Sequence, residues 1–187
     1  MSKFFLGVVV AIVVLIVVGL GVALLGFVPT YSGVEPPKWE AQIANAALDA
    51  SMEKHAPRLN NPLPPTDENL IAGIKIYVKN CALCHGGLDR QTAELSRSLY
   101  PPAPNLITNP LDDPEWHVFY AIRTGVRYTG MPAWENVLPA DDMWKLTAFL
   151  TRVEKLPPNV QQFWKDQTGG VSPPTESGEH HSHHEHD

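Results

Sequence analysis

An all-α chain is what this sequence predicts, with one membrane-length apolar helix followed by one small helical domain. Three observations predict it. Phe4 to Val28 runs for 25 positions without a charged or strongly polar side chain. Three later segments, near 66–81, 113–124 and 139–154, repeat apolar residues at helical spacing. No segment alternates convincingly as a strand, and no internal repeat is visible. At 187 residues there is room for one compact domain of about 100 residues plus attachments. The expected division is an anchor over 1–28, a Pro-rich spacer over 29–65, a folded domain over 66–156 and a flexible His-rich tail over 157–187.

The apolar run would span roughly 37 Å as a helix, enough to cross a bilayer with some tilt. A cleaved secretory signal is the competing reading, since Lys3 precedes the run. The run exceeds the roughly 7 to 15 residues of a signal core, and no clear Ala-x-Ala site follows it. Lys3 favours a cytoplasmic N-terminus, which leaves the rest of the chain outside. Prolines 29, 36, 37, 57, 62, 64 and 65 make the next segment largely extended, although Trp39 to Lys54 can form one helix.

The first domain helix has Thr66 as N-cap, Asp67 and Glu68 in its first turn, and Leu70, Ile74, Tyr77, Val78 and Cys81 on one face. Gly73 costs about 1 kcal/mol inside a helix and so suggests a close backbone approach. Gly86 to Pro114 reads as a loop. A second helix starts with Asp113 as N-cap and Pro114 at the first helical position, and carries Val118, Phe119 and Ile122. A third runs from about Pro139 to Glu154 with Met143, Leu146, Phe149, Leu150 and Val153 inward. Connections this irregular need something to fill the centre.

Cys81, Cys84 and His85 supply a candidate. They are the whole cysteine complement plus one adjacent histidine, in the order Cys-x-x-Cys-His, a spacing that reads as covalent attachment of one c-type haem. The thiols would add across porphyrin vinyl groups, and His85 would place an imidazole nitrogen on the iron. A structural zinc site needs a second ligand pair, which the cysteine count does not supply. A thioredoxin-like pair needs a βαβ context, whereas the residues before Cys81 have a helical period. A disulfide across three positions would close a very short loop.

The candidates for the other axial ligand are Met52, Met131, Met143, His55 and His117, with Met1 excluded by the anchor and the tail histidines by the disorder expected there. Met143 lies on an apolar stripe and is more simply a core residue. Met52 and His55 precede the domain, and His117 occupies the first turn of a helix. Met131, between Gly130 and Pro132, is biased toward extended backbone and is the expected ligand on the face opposite His85.

The run Gly73-x-x-x-Tyr77-x-x-x-Cys81-Ala82-x-Cys84-His85-Gly86, then Pro104-Asn105-Leu106, then Gly130-Met131-Pro132-Ala133-Trp134, resembles the class I monohaem cytochromes c. The resemblance implies the cytochrome c fold, three main helices around one covalently bound haem. It implies that Cys81 and Cys84 bear the thioethers and that His85 and Met131 are the axial ligands. Pro104 matches the proline whose carbonyl accepts a hydrogen bond from the proximal histidine. Gly73 and Tyr77 match the crossing of the first helix over the last, with Phe149 or Leu150 opposite. Arg123, Arg127, Tyr128 and Trp134 are candidates for the haem edge.

A His/Met pair favours ferrous iron more than two nitrogen ligands do, so the expected activity is one-electron transfer at comparatively high potential, without a catalysed reaction or a small-molecule substrate. Nine Lys and Arg against eleven Asp and Glu over 66–156 predict no strong basic face and no nucleic-acid partner. The expected partners are membrane-bound redox proteins, met from a single-pass anchor in a bacterial inner membrane with the haem domain on the periplasmic side. The electron-transport chain would be respiratory or that of a dehydrogenase. Alternatives are a haem subunit of a larger membrane oxidoreductase, or a carrier whose tail binds metal. In that tail His180, His181, His183, His184 and His186 lie among Glu179, Glu185 and Asp187, a tract able to bind copper, nickel, cobalt or zinc or to remain a solvated end.

Overall fold

The apolar stretch at the N-terminus forms helix α1, Ser2–Leu24. The computed structural model describes residues 2–91 and 93–169 and divides into two compact units, Met1–Val34 and Glu35–Asp187. In the first unit, Lys3–Leu24 has a mean hydropathy of 3.2 and no side chain buried in protein. It is long and apolar enough to cross a membrane, a property that an N-terminal signal sequence shares.

The second unit contains α2 (Lys38–His55), α3 (Asp67–Asn80), α4 (Ala82–His85), α5 (Glu115–Thr124), α6 (Ala140–Leu150) and α7 (Pro158–Gly169). Short 3-10 turns lie at Glu94–Ser98 and Trp134–Asn136, and no strand occurs among the described residues. The chain is all-α, as its periodicity implies. Thr66 caps α3 by accepting a bond from the Asn69 N–H at 3.3 Å. Leu70, Ile74, Tyr77 and Cys81 are buried, whereas Val78, from the same expected stripe, stays 45% exposed.

The core is the crossing of α3 with α6. A Cβ on Gly73 would run into the Lys145 carbonyl oxygen and approach the Phe149 Cβ to 2.9 Å. The two backbones are thus close enough that only a hydrogen fits between them. One turn later the Tyr77 ring meets Phe149 edge-on at 5.6 Å, so Phe149 is the contact opposite both residues. Helix α5 packs on α6 through Phe119 and Trp144, whose rings stack at 3.7 Å. Met143 is 3% exposed in this core.

Four expectations need correcting. Helix α5 begins one residue later than the sequence suggests: Pro114 is the N-cap, with no side-chain cap bond, and Asp113 instead lies 3.4 Å from His117 Nδ1. Helix α6 ends at Leu150 rather than near Glu154, because the Arg152 and Lys155 N–H groups turn to the carbonyls three residues back, Phe149 at 3.0 Å and Arg152 at 2.8 Å. The loop from Gly86 contains a 3-10 turn that places Ser96 Oγ 2.7 Å from the Ala103 carbonyl.

The largest difference follows Leu156. A flexible segment was expected from residue 157, but 158–169 form α7. Pro158 opens a helix rather than breaking one, since the first helical position needs no N–H. Val160, Phe163 and Trp164 share a face at i, i+3 and i+4. Val160 is fully buried, Trp164 stacks obliquely on Phe149 at 5.6 Å, and its indole N–H donates to the Leu88 carbonyl at 2.9 Å.

Helix α2 also belongs to the folded unit. Tyr100 Oη donates to Glu40 at 2.7 Å, the Asn61 amide donates to the Trp144 carbonyl at 3.2 Å, and Ala56 is buried. Arg58 pairs with Glu53 and lies over the Trp116 ring at 5.2 Å.

Gly73→Ala tests the crossing. On an exposed helix it would stabilise by about 0.5 to 1 kcal/mol; here overpacking should cost about 1 to 3 kcal/mol, read as a lower midpoint in chemical denaturation.

Candidate functional site

Helix α3 delivers Cys81 as its C-cap, with the Cys81 N–H on the Tyr77 carbonyl at 2.8 Å. The chain then makes one tight turn. The N–H groups of Cys84 and His85 both point at the Cys81 carbonyl, at 3.1 and 2.9 Å. Cys81, Cys84 and His85 therefore share a single helical turn, and neither thiol is in a disulfide. Burial, reinforced by Cys84, pushes the Cys81 thiol up to about 12. That is the opposite of the depressed thiol of a thioredoxin-like pair. Among the described residues no group of three or more His, Cys, Asp or Glu is placed to hold a metal ion, which leaves the zinc alternative without ligands there.

His85 Nδ1 lies 2.8 Å from the Pro104 carbonyl oxygen. A carbonyl only accepts, so Nδ1 carries the proton and the neutral ring presents its Nε2 lone pair outward. Burial lowers the His85 pKa below its ordinary value, against the raising effect of the Pro104 carbonyl; the ring is neutral at pH 7. Such a ring can bind a metal through Nε2 without first losing a proton.

Asn105 keeps Pro104 in place. Its Oδ1 accepts the N–H groups of Ile107 and Thr108, both at 3.0 Å, and its amide donates to the Gln91 carbonyl at 3.2 Å. The Leu106 N–H closes the loop onto the His85 carbonyl at 3.2 Å. The role of Asn105 was missed in the sequence, although Asn bonding the backbone two and three residues on is a turn signal that residue type carries.

Met131 lies in a separate loop braced on the end of α5. Gly125, at φ +67° and ψ −176°, occupies backbone space that is essentially restricted to glycine. A Cβ there would come within 2.7 Å of the Met131 carbonyl oxygen and the Ala133 nitrogen. The Met131 carbonyl accepts from the Val126 N–H at 3.2 Å, and its N–H donates to Thr129 Oγ1 at 3.1 Å. Both backbone polar groups of Met131 are thus used, and its side chain is half-buried. Arg123 binds Glu135 at 2.9 Å, Arg127 lies over the exposed Tyr128 ring at 5.8 Å, and the buried Trp134 Nε1 has no protein partner.

The other candidate ligands are placed elsewhere. His117 sits between carboxylates, Nδ1 at 3.4 Å from Asp113 and Nε2 at 3.5 Å from Glu53; the second distance is an ion-pair separation, and Nε2 makes no hydrogen bond. Met52 and His55 lie on α2. His180, His181, His183, His184 and His186 fall outside the described residues.

Two uncrosslinked thiols on one turn, a neutral imidazole and a thioether on a braced loop are the donor types that haem c takes. Gly125→Ala should perturb that loop, costing about 1 to 3 kcal/mol from the backbone angle alone, and its thermal midpoint should fall below wild type.

Comparison with a known family agrees with this chemistry. Residues 68–150 match the family described as cytochrome C oxidase, cbb3-type, subunit III. Among solved structures, a chain of the Kuenenia stuttgartiensis reducing HAO-like protein complex is 24% identical, with a TM-score of 0.43 over 55% of this chain and 53% of that one. The match spans about half of that chain's length. No curated protein matches the sequence. The domain around the Cys81–His85 turn is a monohaem c-type cytochrome, an electron-transfer protein with one covalently bound haem c.

Proposed function

We propose that Cys81 and Cys84 carry the thioethers, that His85 and Met131 are the axial ligands, and that Pro104 orients the His85 ring. The observation that carries this reading is the 2.8 Å contact from His85 Nδ1 to the Pro104 carbonyl, which puts the ring proton on Nδ1 and so supports Nε2 as the iron-binding nitrogen. Haem c, when bound, supplies a one-electron couple between ferric and ferrous iron. The residues around it determine how that couple is used. With His85 and Met131 both holding the iron, no open position would remain for oxygen or peroxide, and the group would supply one-electron exchange with a docked partner. The thioether of Met131 favours the lower oxidation state, and the apolar core from Leu70 to Phe149 disfavours extra positive charge on the iron.

On this reading α1 anchors the protein in a bacterial inner membrane, with the haem domain on the periplasmic side, and its donors and acceptors are membrane-bound redox proteins of a respiratory or dehydrogenase chain. Confinement near the membrane raises the effective concentration toward such partners. A second reading, a haem subunit of a larger membrane oxidoreductase, is favoured by the description of the matched family, which is that of an oxidase subunit. Stable co-purification with a catalytic protein supports the subunit; electron exchange with several separate partners supports the carrier. A metal-binding role for the His-rich tail would show as loss of function on deleting 179–187 with the haem spectrum unchanged.

Acid acetone should leave the pigment on the denatured chain, and extraction of the colour would overturn covalent attachment. Met131→Leu should abolish the far-red band of methionine bound to ferric iron while the haem remains attached, with a reduction potential below wild type. An unchanged band in that variant would exclude Met131 as the ligand.

A further inference from the structure

We propose that the Tyr77 hydroxyl is a positioning group for the proximal ligand, fixing the turn that carries His85 and through it the direction of the imidazole ring. The proposal rests on the reading of His85 as an axial ligand.

Tyr77 is fully buried, and its edge-on contact with Phe149 at 5.6 Å accounts for an aromatic ring at the helix crossing. A phenylalanine would make that contact equally well. The hydroxyl therefore needs a separate explanation, since burying it without partners is costly. Its oxygen lies 2.8 Å from the Gly86 carbonyl oxygen and 3.1 Å from that of His85. Carbonyls only accept, so Tyr77 donates one proton shared between the two. Among the hydrogen bonds described, Gly86 O receives no other donor, while His85 O also receives the Leu106 N–H at 3.2 Å.

His85 is consequently held at two ends. Its ring is bonded to Pro104, at 2.8 Å, and its carbonyl to Leu106, two residues further along the same loop. Both of those contacts come from one loop, which can shift as a piece. The Tyr77 hydroxyl supplies an independent reference, because it stands on α3 at the point where α3 is locked against α6 by Gly73. Removing it frees the peptide between His85 and Gly86 to rotate and lets the ring turn about its bond to Pro104. Ring direction sets the overlap of Nε2 with the iron, so the effect should be electronic as well as structural.

The test is Tyr77→Phe in the full-length haem-loaded protein, compared with wild type by paramagnetic NMR of the ferric state and by redox titration. The expected result is a displacement of the hyperfine-shifted His85 ring and haem-methyl resonances, together with a lower reduction midpoint. A variant that melts at lower temperature yet keeps the wild-type resonances and midpoint overturns the proposal, because the hydroxyl is then structural only. Should Tyr77→Phe fail to accumulate, 3-fluorotyrosine at position 77 keeps the ring and strengthens the donor. The same resonances should then move in the direction that a firmer bond dictates, and no movement overturns the proposal. Wild-type spectra without an iron-bound imidazole from His85 overturn the ligand assignment itself, and the proposal with it.

Discussion

The close approach of α3 and α6 at Gly73 is the contact on which the rest of the domain depends. Helix α3 ends in the Cys81–His85 turn, so any error in where α3 lies is carried directly to the two thiols and the imidazole. A side chain at position 73 would push against the Lys145 carbonyl and the Phe149 Cβ, and the displacement would reach His85 through a helix too stiff to absorb it. Tyr77, one turn on, adds an aromatic contact to the same helix. Packing in the core and geometry at the site are therefore one problem, solved at a single crossing.

The two sides of the site are built on different principles. On the His85 side, three chemistry-bearing residues lie on one turn that is itself a continuation of a buried helix, and the Pro104 carbonyl and Leu106 N–H of the 104–106 loop complete it. On the Met131 side no helix carries the residue. The loop is held instead by its own backbone, with Val126 and Thr129 taking both polar groups of Met131 and Gly125 allowing the chain to fold back on itself. A loop braced by a few backbone bonds opens at lower free energy than a helix buried on a core. Under the proposed ligation, exchange or loss of a ligand is accordingly expected to begin at Met131, with His85 retained.

How much of this could be read in advance depended on whether the signal was local. The three core helices announced themselves through apolar spacing, and the Cys81-x-x-Cys84-His85 turn through its motif, because helix and motif both concern residues a few positions apart. Gly73 was legible as a misfit inside its own helix. What escaped was tertiary or hidden by punctuation. Pro157 and Pro158 read as a break, yet a proline at the first helical position starts a helix, and the Val160, Phe163, Trp164 face shows its purpose only once Phe149 and Leu88 are there to meet it. Asn105 bonds three backbone groups spread from Gln91 to Thr108, which no spacing rule reveals. At α5 the choice between Asp113 and Pro114 as cap turned on His117, whose ring faces the carboxylate that the helix end would otherwise have used.

The flanking helices alter what the spacer can do. Read as a sequence, residues 29–65 are a tether of 37 positions, able to extend to about 125 Å. In the structure α2 takes up 18 of them and is bonded into the domain through Glu40 and Tyr100, while Asn61, beyond its end, bonds the Trp144 carbonyl. Only residues 25–37 lie between α1 and α2, a length that reaches at most about 45 Å when fully extended. Proline at 29, 36 and 37 stiffens that segment further. Under the proposed anchoring, the short tether makes the protein poorly suited to carrying electrons across a wide periplasmic gap. It suits exchange with partners whose redox sites stand close above the same membrane, a constraint imposed by the docking of α2 rather than by the chemistry of the iron.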